Sequence, residues 1–360
     1  MGRTASEGVL DAAVGERLRH GVAIPAHPLA LDAGRRLDER RQRALARYYL
    51  AAGVGGLAVG VHTTQFEIRK PEVGLFEPVL RIAKEEMDAA DARADQPLVR
   101  VAGICGKTEQ AVREAELAQG LGYHVGLLSL AAMGEADDDA LVAHVQRVSD
   151  VLPVMGFYLQ PAVGGRVLSY AYWRRVFENE RVVAVKIAPF NRYRTLDVVR
   201  AAVDAGRDDV ALYTGNDDNI VADLVTPYRF GEAGQVKERW ITGGLLGHWS
   251  VWTRPAVQLL ERCRAVREGR EAYSADLMRL NAAVTDANAA FFDAANGFQG
   301  VIAGLHEVLR RQGLLEGIWC LDENEGLGPG QMEEIDRVYA MYPELCDDEF
   351  VAAGREEWLR

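Results

Sequence analysis

A lysine near the end of a short apolar segment is the residue best placed to do chemistry. In VVAVKIAP (182–189), the alternation of side chains along a strand puts Lys186 on the same face as Ala184. The opposite face is wholly branched aliphatic, with Val183, Val185 and Ile187. Burying an unpaired ammonium group costs several kcal/mol, and a lowered pKa would release a neutral amine that can act as a nucleophile. A lysine paired with a carboxylate is the alternative.

A tyrosine precedes this lysine on the neighbouring apolar segment. In PVMGFYLQ (153–160), alternation groups Tyr158 with Gly156 and predicts that it projects inward beside Lys186. A phenol next to a lysine can relay protons during imine formation and carbon–carbon cleavage. A core tyrosine with a satisfied hydroxyl group is the alternative.

Further polar residues follow other apolar segments. Thr63 and Thr64 could hold a small carboxylate or cap a helix, and His62 before them could tune the site or be structural. Arg192 could clamp a substrate carboxylate or lie on the surface. His248 could touch a ligand from the loop in which it lies.

Two consecutive carboxylates, Asp217 and Asp218, are interpreted as the N-cap and first-turn residues of the next helix. The chain has no HxH or HExxH spacing, so we expect no metal site.

These residues belong to a repeating pattern in which a short apolar run is followed by a helical stretch. The starts of the eight runs are separated by roughly 26 to 41 residues, about one strand–helix unit each. Alternation of this kind predicts a parallel sheet, and eight units favour closure into an α/β (β/α)8 TIM barrel. An open doubly wound sheet would require a Gly-rich phosphate loop, but the first strand runs into PAHPLALD. The predicted strands are 22–26, 56–63, 97–105, 123–130, 153–160, 182–189, 210–216 and 239–246.

The last part of the chain has helical patterns and no strand pattern. The predicted helices cover roughly 254–268, 272–293, 296–312, 331–341 and 347–358. We therefore predict an N-terminal extension (1–20), a barrel core (21–253) and a segment (254–360) with the last barrel helix and a C-terminal helical extension.

Composition narrows the class of protein. The net charge is −12 and the isoelectric point is about 5.2, which argues against a nucleic-acid partner. No apolar run approaches the roughly 18 residues that span a membrane, and the charged N-terminus is not of signal-peptide type. Four scattered cysteines form no CxxC pair. These features predict a reduced, cytoplasmic enzyme.

Five short motifs, in order, resemble the dihydrodipicolinate synthase and N-acetylneuraminate lyase family, over roughly residues 20 to 315. They are AGVGGLAVGVHTTQFE, PVMGFYLQPAVGGRVLS, VVAVKIA, LYTGNDD and RWITGGLLG. The resemblance implies that Lys186 forms a Schiff base with pyruvate or a related 2-keto acid and that Tyr158 is the general acid/base. It further implies that Thr63 and Thr64 bind the carboxylate of the keto acid and take part in the proton relay. Gly215 and Gly243 would shape the pocket.

The resemblance also implies a homo-oligomer, either a dimer or a tetramer, and neither a metal nor an organic cofactor. The chain departs from the family pattern at three places. His62 replaces the leading glycine of the threonine motif, and Val163 stands where the synthases have an arginine, with Arg166 three residues further on as a partial replacement. SLAAMGEADDD lacks the tyrosine that the synthases carry after strand four.

We therefore expect an aldolase-type lyase that is not dihydrodipicolinate synthase itself. The alternatives are a keto-deoxy sugar acid dehydratase or a hydratase–aldolase with the same imine chemistry, and, in another class, a barrel that binds a ligand without catalysis. A metal-dependent aldolase is disfavoured by the absence of metal-ligand spacing.

Overall fold

Eight parallel strands form a nearly closed barrel in the computed structural model, which describes residues 8–232 and 234–360. They are β1 (Ala23–Pro25), β2 (Gly56–Val59), β3 (Val99–Ile104), β4 (Val125–Leu128), β5 (Val154–Leu159), β6 (Val182–Ala188), β7 (Ala211–Thr214) and β10 (Gly243–Leu246). Two further strands, β8 (Tyr228–Phe230) and β9 (Lys237–Arg239), form an antiparallel hairpin between β7 and β10. The hydrogen-bonded order is β1-β10-β7-β6-β5-β4-β3-β2, and a parallel bridge from Ala26 to Ala58 joins its two ends. The predicted (β/α)8 barrel is confirmed.

Helices surround the barrel and continue beyond it. Those of the barrel are α1 (Ala12–His20), α2 (Glu39–Ala52), α3 (Phe76–Asp91), α4 (Thr108–Gly120), α5 (Asp138–Ser149), α6 (Tyr170–Val176), α7 (Arg192–Asp204), α8 (Ile220–Val225) and α9 (Thr253–Arg267). The C-terminal extension contains α10 (Ala275–Phe291), α11 (Val301–Arg311), α12 (Gln331–Met341) and α13 (Asp348–Trp358), close to the predicted bounds. No helix in the described part of the chain is long and apolar enough to cross a membrane.

Local sequence signals explain where several helices begin and end. Asp38 caps α2 by accepting a hydrogen bond from the Arg41 amide at 3.0 Å, and Gly53 ends α2 in the left-handed conformation. Asp137 caps α5 by accepting from the Ala140 amide at 2.9 Å. The hairpin of β8 and β9 was not predicted, and Arg239, expected to open the last barrel strand, lies in it.

The N-terminal end of the barrel is closed by side chains. Leu18 of α1 packs with the apolar residues that fill the barrel interior. The hydroxyl of Tyr213 in β7 donates to the Leu18 carbonyl at 2.9 Å and accepts from the Val22 amide at 3.1 Å. Because this end is filled, a site that admits substrate must lie at the opposite end, where reactive groups of such barrels are found.

Strand β6 contains one extra residue relative to β5. Val182 and Ala184 pair with consecutive residues of β5, so Val183 between them is a bulge. Beyond the bulge Ala184, Lys186 and Ala188 face the barrel interior, as predicted for Lys186. Val182 packs with the helical layer instead, because the bulge reverses the alternation at that point.

The C-terminal extension reaches back to the loops at the C-terminal end of the barrel. Arg35, between β1 and α2, donates to the Cys320 carbonyl. The side chain of Gln65, after β2, accepts a hydrogen bond from the Leu321 amide at 2.6 Å. These contacts tie the segment between α11 and α12 to the edge of the barrel where the candidate site lies.

Candidate active site

A cavity of about 70 Å³ lies at the C-terminal end of the barrel. Strands β5 and β6, the turns after β2, β7 and β10, and the C-terminal extension all contribute to its wall. Its polar side chains are those of His62, Thr63, Gln160, Lys186 and Asp217. Its large apolar side chains are those of Val61, Leu127, Phe157, Leu159, Val163, Phe190, Phe292, Phe298 and Val301. The wall is therefore mainly apolar, with one amine and one carboxyl group.

Lys186 supplies the amine. Its side chain is 9% exposed, and Nζ lies 4.7 Å from the centre of the Phe157 ring. Among the residues that the structure describes, no carboxylate lies within 4.0 Å of this amine. Burial lowers the pKa of Lys186 to about 8, with Asp217 acting in the opposite direction. About a tenth of the molecules would therefore carry the neutral amine at pH 7.

Asp217 supplies the carboxyl group, and its prediction as a helix N-cap is wrong. Helix α8 begins at Ile220 with Asn219 as its N-cap residue. One carboxylate oxygen of Asp217 instead accepts a hydrogen bond from the His248 amide at 3.0 Å, across the top of the barrel. Burial raises the pKa of Asp217 to about 7, although the positive charge of Lys186 opposes the shift. Burial thus outweighs the attraction between the two groups and favours the neutral form of each.

The prediction that Tyr158 projects into the barrel is wrong. Its hydroxyl donates to the Leu168 carbonyl and accepts from the Leu168 amide, both at 3.1 Å, and its ring lies 5.8 Å from that of Trp173 in α6. Phe157 takes the inward position next to Lys186. Because both faces of β5 are apolar, alternation allowed either assignment, and packing against α6, the next helix along the chain, decides between them.

The two threonines have separate positions. Thr63 lines the cavity, but its hydroxyl donates to the Ala26 carbonyl at 2.8 Å. Thr64 lies outside the cavity wall, and its hydroxyl donates to the His27 carbonyl at 2.7 Å and accepts from the Gly60 amide at 3.0 Å. The Thr64 hydroxyl therefore stabilises the turn after β2, as in the capping alternative, and does not reach a ligand in the cavity.

Two histidines flank the amine and the carboxyl group. His62 lines the cavity, and burial together with the charge of Lys186 lowers its pKa to about 4. It is therefore neutral at pH 7 and can serve there as a hydrogen-bonding group. The ring of His248 stacks on Phe291 at 5.7 Å, outside the cavity wall, so that only its amide faces Asp217.

The two glycines differ in their relation to the cavity. A Cβ atom added to Gly215 would lie 2.6 Å from Cε of Lys186, so the glycine makes room for the lysine side chain. A Cβ atom added to Gly243 would lie 2.6 Å from the Tyr213 ring. Gly243 is the first residue of β10 and lies outside the cavity wall, so it does not shape the pocket as the resemblance implied.

Neither arginine proposed for substrate binding lines the cavity. Arg166 donates to the Met133 carbonyl at 2.6 Å. Arg192 forms an ion pair with Asp223, which is fully buried in α8. Both guanidinium groups thus bind other parts of the protein, and direct contact with a substrate stays a prediction that this cavity does not support.

An aromatic lid covers the cavity and was not predicted. Phe190 follows β6, and Phe298 lies between α10 and α11; their ring centroids are 5.9 Å apart in an edge-to-face arrangement. Both residues have left-handed backbone conformations, with φ of 48° and 69°. Phe292 and Val301 extend the lid. We define the aromatic lid as Phe190, Phe292, Phe298 and Val301. The last three belong to the C-terminal extension, and the sequence pattern does not predict that they lie above the barrel.

The described residues contain no group of three or more His, Cys, Asp or Glu side chains arranged to hold a metal ion.

Comparison with known proteins gives structural matches only. No protein-family model and no curated protein sequence matches this chain. The dihydrodipicolinate synthase from Oceanobacillus iheyensis is 17% identical with a TM-score of 0.71, covering 92% of this chain and 99% of that one. The N-acetylneuraminate lyase from Fusobacterium nucleatum is 16% identical with a TM-score of 0.68, covering 90% and 99%.

A third match is a prophage protein of the dihydrodipicolinic acid synthase family from E. coli K12, in complex with pyruvate. It is 16% identical with a TM-score of 0.69, covering 90% of this chain and 97% of that one. At such low sequence identities, the TM-scores establish a common fold and nothing more. The chain therefore shares the (β/α)8 barrel fold of the dihydrodipicolinate synthases and N-acetylneuraminate lyases.

Proposed function

We propose that this protein is an aldolase-type lyase in which Lys186 forms a Schiff base with a 2-keto acid such as pyruvate. The observation that carries the proposal is a buried lysine near the C-terminal end of a barrel strand, in a mainly apolar cavity where no described carboxylate lies within 4.0 Å of its amine. Burial in this cavity lowers the pKa of Lys186. Such an environment keeps part of the amine neutral and nucleophilic at physiological pH.

The reaction follows from this amine. The neutral Nζ attacks the keto carbon, and loss of water leaves an iminium ion. The iminium group withdraws electrons from the neighbouring carbon, so the bond between that carbon and the next can break as the electrons move toward nitrogen. Hydrolysis of the imine then releases the 2-keto acid, and the reverse sequence joins the acid to an aldehyde.

The size and wall of the cavity limit the substrate. At about 70 Å³ it is far smaller than the roughly 300 Å³ at which larger ligand sites begin, so it suits a short keto acid. His62 and Gln160 are the neutral polar side chains that could bind its carboxylate. A larger substrate requires that the aromatic lid move aside.

The apolar wall favours one alternative over the others. A hydratase–aldolase with an aromatic or aliphatic substrate would use the same imine and would place that group against Phe157 and the aromatic lid. A sugar acid would need partners for several hydroxyl groups, and besides the amine and the carboxyl group the described wall has only the polar side chains of His62, Thr63 and Gln160. Dihydrodipicolinate formation is not proposed, because Val163 lines the cavity where the synthases have an arginine, and Arg166 is bound elsewhere.

Borohydride trapping tests the proposal. The protein is incubated with pyruvate and then with borohydride, and the adduct is detected by intact mass and located by peptide mapping. We expect a reduced adduct on Lys186 that disappears in Lys186→Ala and persists in Lys237→Ala, in which an exposed lysine is removed. EDTA should not reduce the yield of the adduct.

The opposite result has a definite meaning. If well-folded protein forms no adduct with pyruvate or with a series of longer 2-keto acids, the proposal is wrong. The barrel would then be a ligand-binding protein without Schiff-base chemistry.

A further inference from the structure

The hydroxyl groups expected to move protons are engaged elsewhere. The Tyr158 hydroxyl is bound to both backbone groups of Leu168, and the hydroxyls of Thr63 and Thr64 donate to backbone carbonyls. Tyr213 is bound at the N-terminal end of the barrel. Imine formation nevertheless requires a group that protonates the departing oxygen and removes protons from nitrogen.

We propose that Asp217 transfers these protons. The family resemblance had implied this role for Tyr158. This inference rests on the proposed function, because it assigns a second catalytic residue to the same imine chemistry. It concerns a residue that the sequence had suggested only as a helix cap.

The geometry of the cavity supports the assignment. Lys186 and Asp217 both line a space of about 70 Å³, so a short keto acid attached to Nζ must lie against the carboxyl group. The His248 amide holds one carboxylate oxygen at 3.0 Å. The backbone amide of Asp217 itself also interacts with the carboxyl group, but among described residues no side chain donates to it, so a substrate bound in the cavity can contact it.

The groups that face Asp217 keep it able to exchange protons. Lys186 on β6 favours its ionised form, whereas burial and the neighbouring Asp218 favour its protonated form. His62, on the turn after β2, is neutral at pH 7 because its pKa is lowered to about 4. With a pKa of about 7, Asp217 is present in both forms at neutral pH, which suits a group that must both donate and accept.

The proton transfers balance at each step. The neutral amine attacks the keto carbon, and protonated Asp217 gives its proton to the resulting alkoxide. The carboxylate then removes a proton from the new ammonium group and returns it to the hydroxyl, which leaves as water while the nitrogen lone pair forms the iminium double bond. In retro-aldol cleavage, the carboxylate removes the proton of the substrate hydroxyl. Protonated Asp217 then delivers a proton to the enamine carbon.

The test is the rate of borohydride-trapped adduct formation with pyruvate in Asp217→Asn, measured from pH 5 to pH 9. Removing the carboxylate also removes the charge that raises the pKa of Lys186. More neutral amine would then be present, which by itself would speed the attack. We expect the opposite: adduct formation slowed about a hundredfold or more, with loss of the inflection near pH 7.

Two further variants separate proton transfer from a structural effect. Asp217→Glu should retain part of the rate and a titration in the neutral range. Asp218→Asn removes the adjacent carboxylate, which lies outside the cavity wall and helps to raise the pKa of Asp217. It should move the inflection to lower pH and change the maximal rate by less than about threefold. Circular dichroism and thermal melting check that each variant is folded.

The outcomes distinguish this inference from the proposed function. If wild-type protein forms no adduct, Schiff-base chemistry is excluded, and the inference falls with it. If wild-type protein forms the adduct and Asp217→Asn forms it at the same or a higher rate with an unchanged pH profile, the role of Asp217 is wrong while the role of Lys186 stands.

Discussion

Two buried carboxylates follow the same strand, β7, yet their surroundings differ. Asp223 is fully buried and accepts hydrogen bonds from Arg192, Thr214, Asn216 and, at 3.3 Å, Tyr228. Asp217 is 4% exposed and accepts from the His248 amide, while its carboxyl group lines a mainly apolar cavity that also contains the Lys186 amine. A carboxylate surrounded by donors stabilises the fold, whereas one that lacks them is costly to ionise and is available for chemistry.

Removing the carboxylate of Asp223, which accepts four hydrogen bonds, should cause the largest loss of stability. In Asp223→Ala, the hydroxyls of Thr214 and Tyr228 and the amide of Asn216 lose their acceptor in a buried position. We expect the free energy of unfolding to fall by about 3 kcal/mol. Denaturant unfolding at pH 7 measures the change.

The matched control is Asp217→Asn, which should raise the free energy of unfolding at pH 7 by about 3 kcal/mol, because a neutral amide replaces a carboxyl group whose ionisation is opposed by burial. Equal losses in the two variants would contradict the distinction between the two carboxylates.

The dependence of stability on pH should differ as well. The pKa of Asp217 is raised to about 7, so between about pH 4 and pH 7 the folded protein retains a proton that the unfolded chain has released. The stability due to the protonated carboxyl group is therefore present below about pH 4 and lost as the pH rises to 7. We expect a decline of about 3 kcal/mol across this range, absent in Asp217→Asn.

Lys186 should produce the opposite trend at higher pH. Its pKa is lowered to about 8, so above that value the unfolded chain binds more protons and stability rises with pH. Lys186→Met should abolish that rise and leave the decline between pH 4 and pH 7 in place. Urea unfolding at several pH values measures both slopes, and variants with wild-type slopes would show that neither group is as buried as described.

The lysine also depends on space that a glycine provides. In Gly215→Ala the added methyl group would lie 2.6 Å from Cε of Lys186, so the amine must shift. We expect trapping with pyruvate to slow about tenfold, equivalent to ~1.4 kcal/mol. The methyl group would also lie 2.8 Å from Cβ of Ala188, so the free energy of unfolding should fall by about 1–3 kcal/mol.

Gly243→Ala is the control: its methyl group would meet the Tyr213 ring and the backbone of Val22, so it should destabilise the fold by about 1–3 kcal/mol. Similar effects of both variants on trapping would contradict a specific role for Gly215.

The sequence was informative where one face of an element differs clearly from the other. All eight barrel strands lie at the predicted places, and Lys186 faces inward because the other side of β6 is branched aliphatic. Tyr158 was misassigned because both faces of β5 are apolar, so its orientation depends on Trp173 in a later helix. The bulge at Val183 has no signal in the sequence.

Asp217 and the aromatic lid were missed for a different reason. A carboxylate between a strand and a helix has the same pattern whether it caps the helix or faces a cavity. Phe298 comes from the C-terminal extension, far along the chain from the strands it covers. Only the packing of the extension against the barrel determines this contact, and hydrophobic periodicity contains no information about it.

The smallest expected effect concerns Tyr158, for which the family resemblance implied the role of general acid/base. In the described structure the Tyr158 hydroxyl is saturated by Leu168, so it belongs with Asp223 among the structural groups. Tyr158→Phe should lower the free energy of unfolding by about 1 kcal/mol through loss of two hydrogen bonds to the backbone. It should change the rate of trapping with pyruvate by less than about twofold, because Phe157, and not Tyr158, faces the amine. A hundredfold slower rate, with normal stability, would instead mean that β5 turns during the reaction and brings the phenol to Lys186.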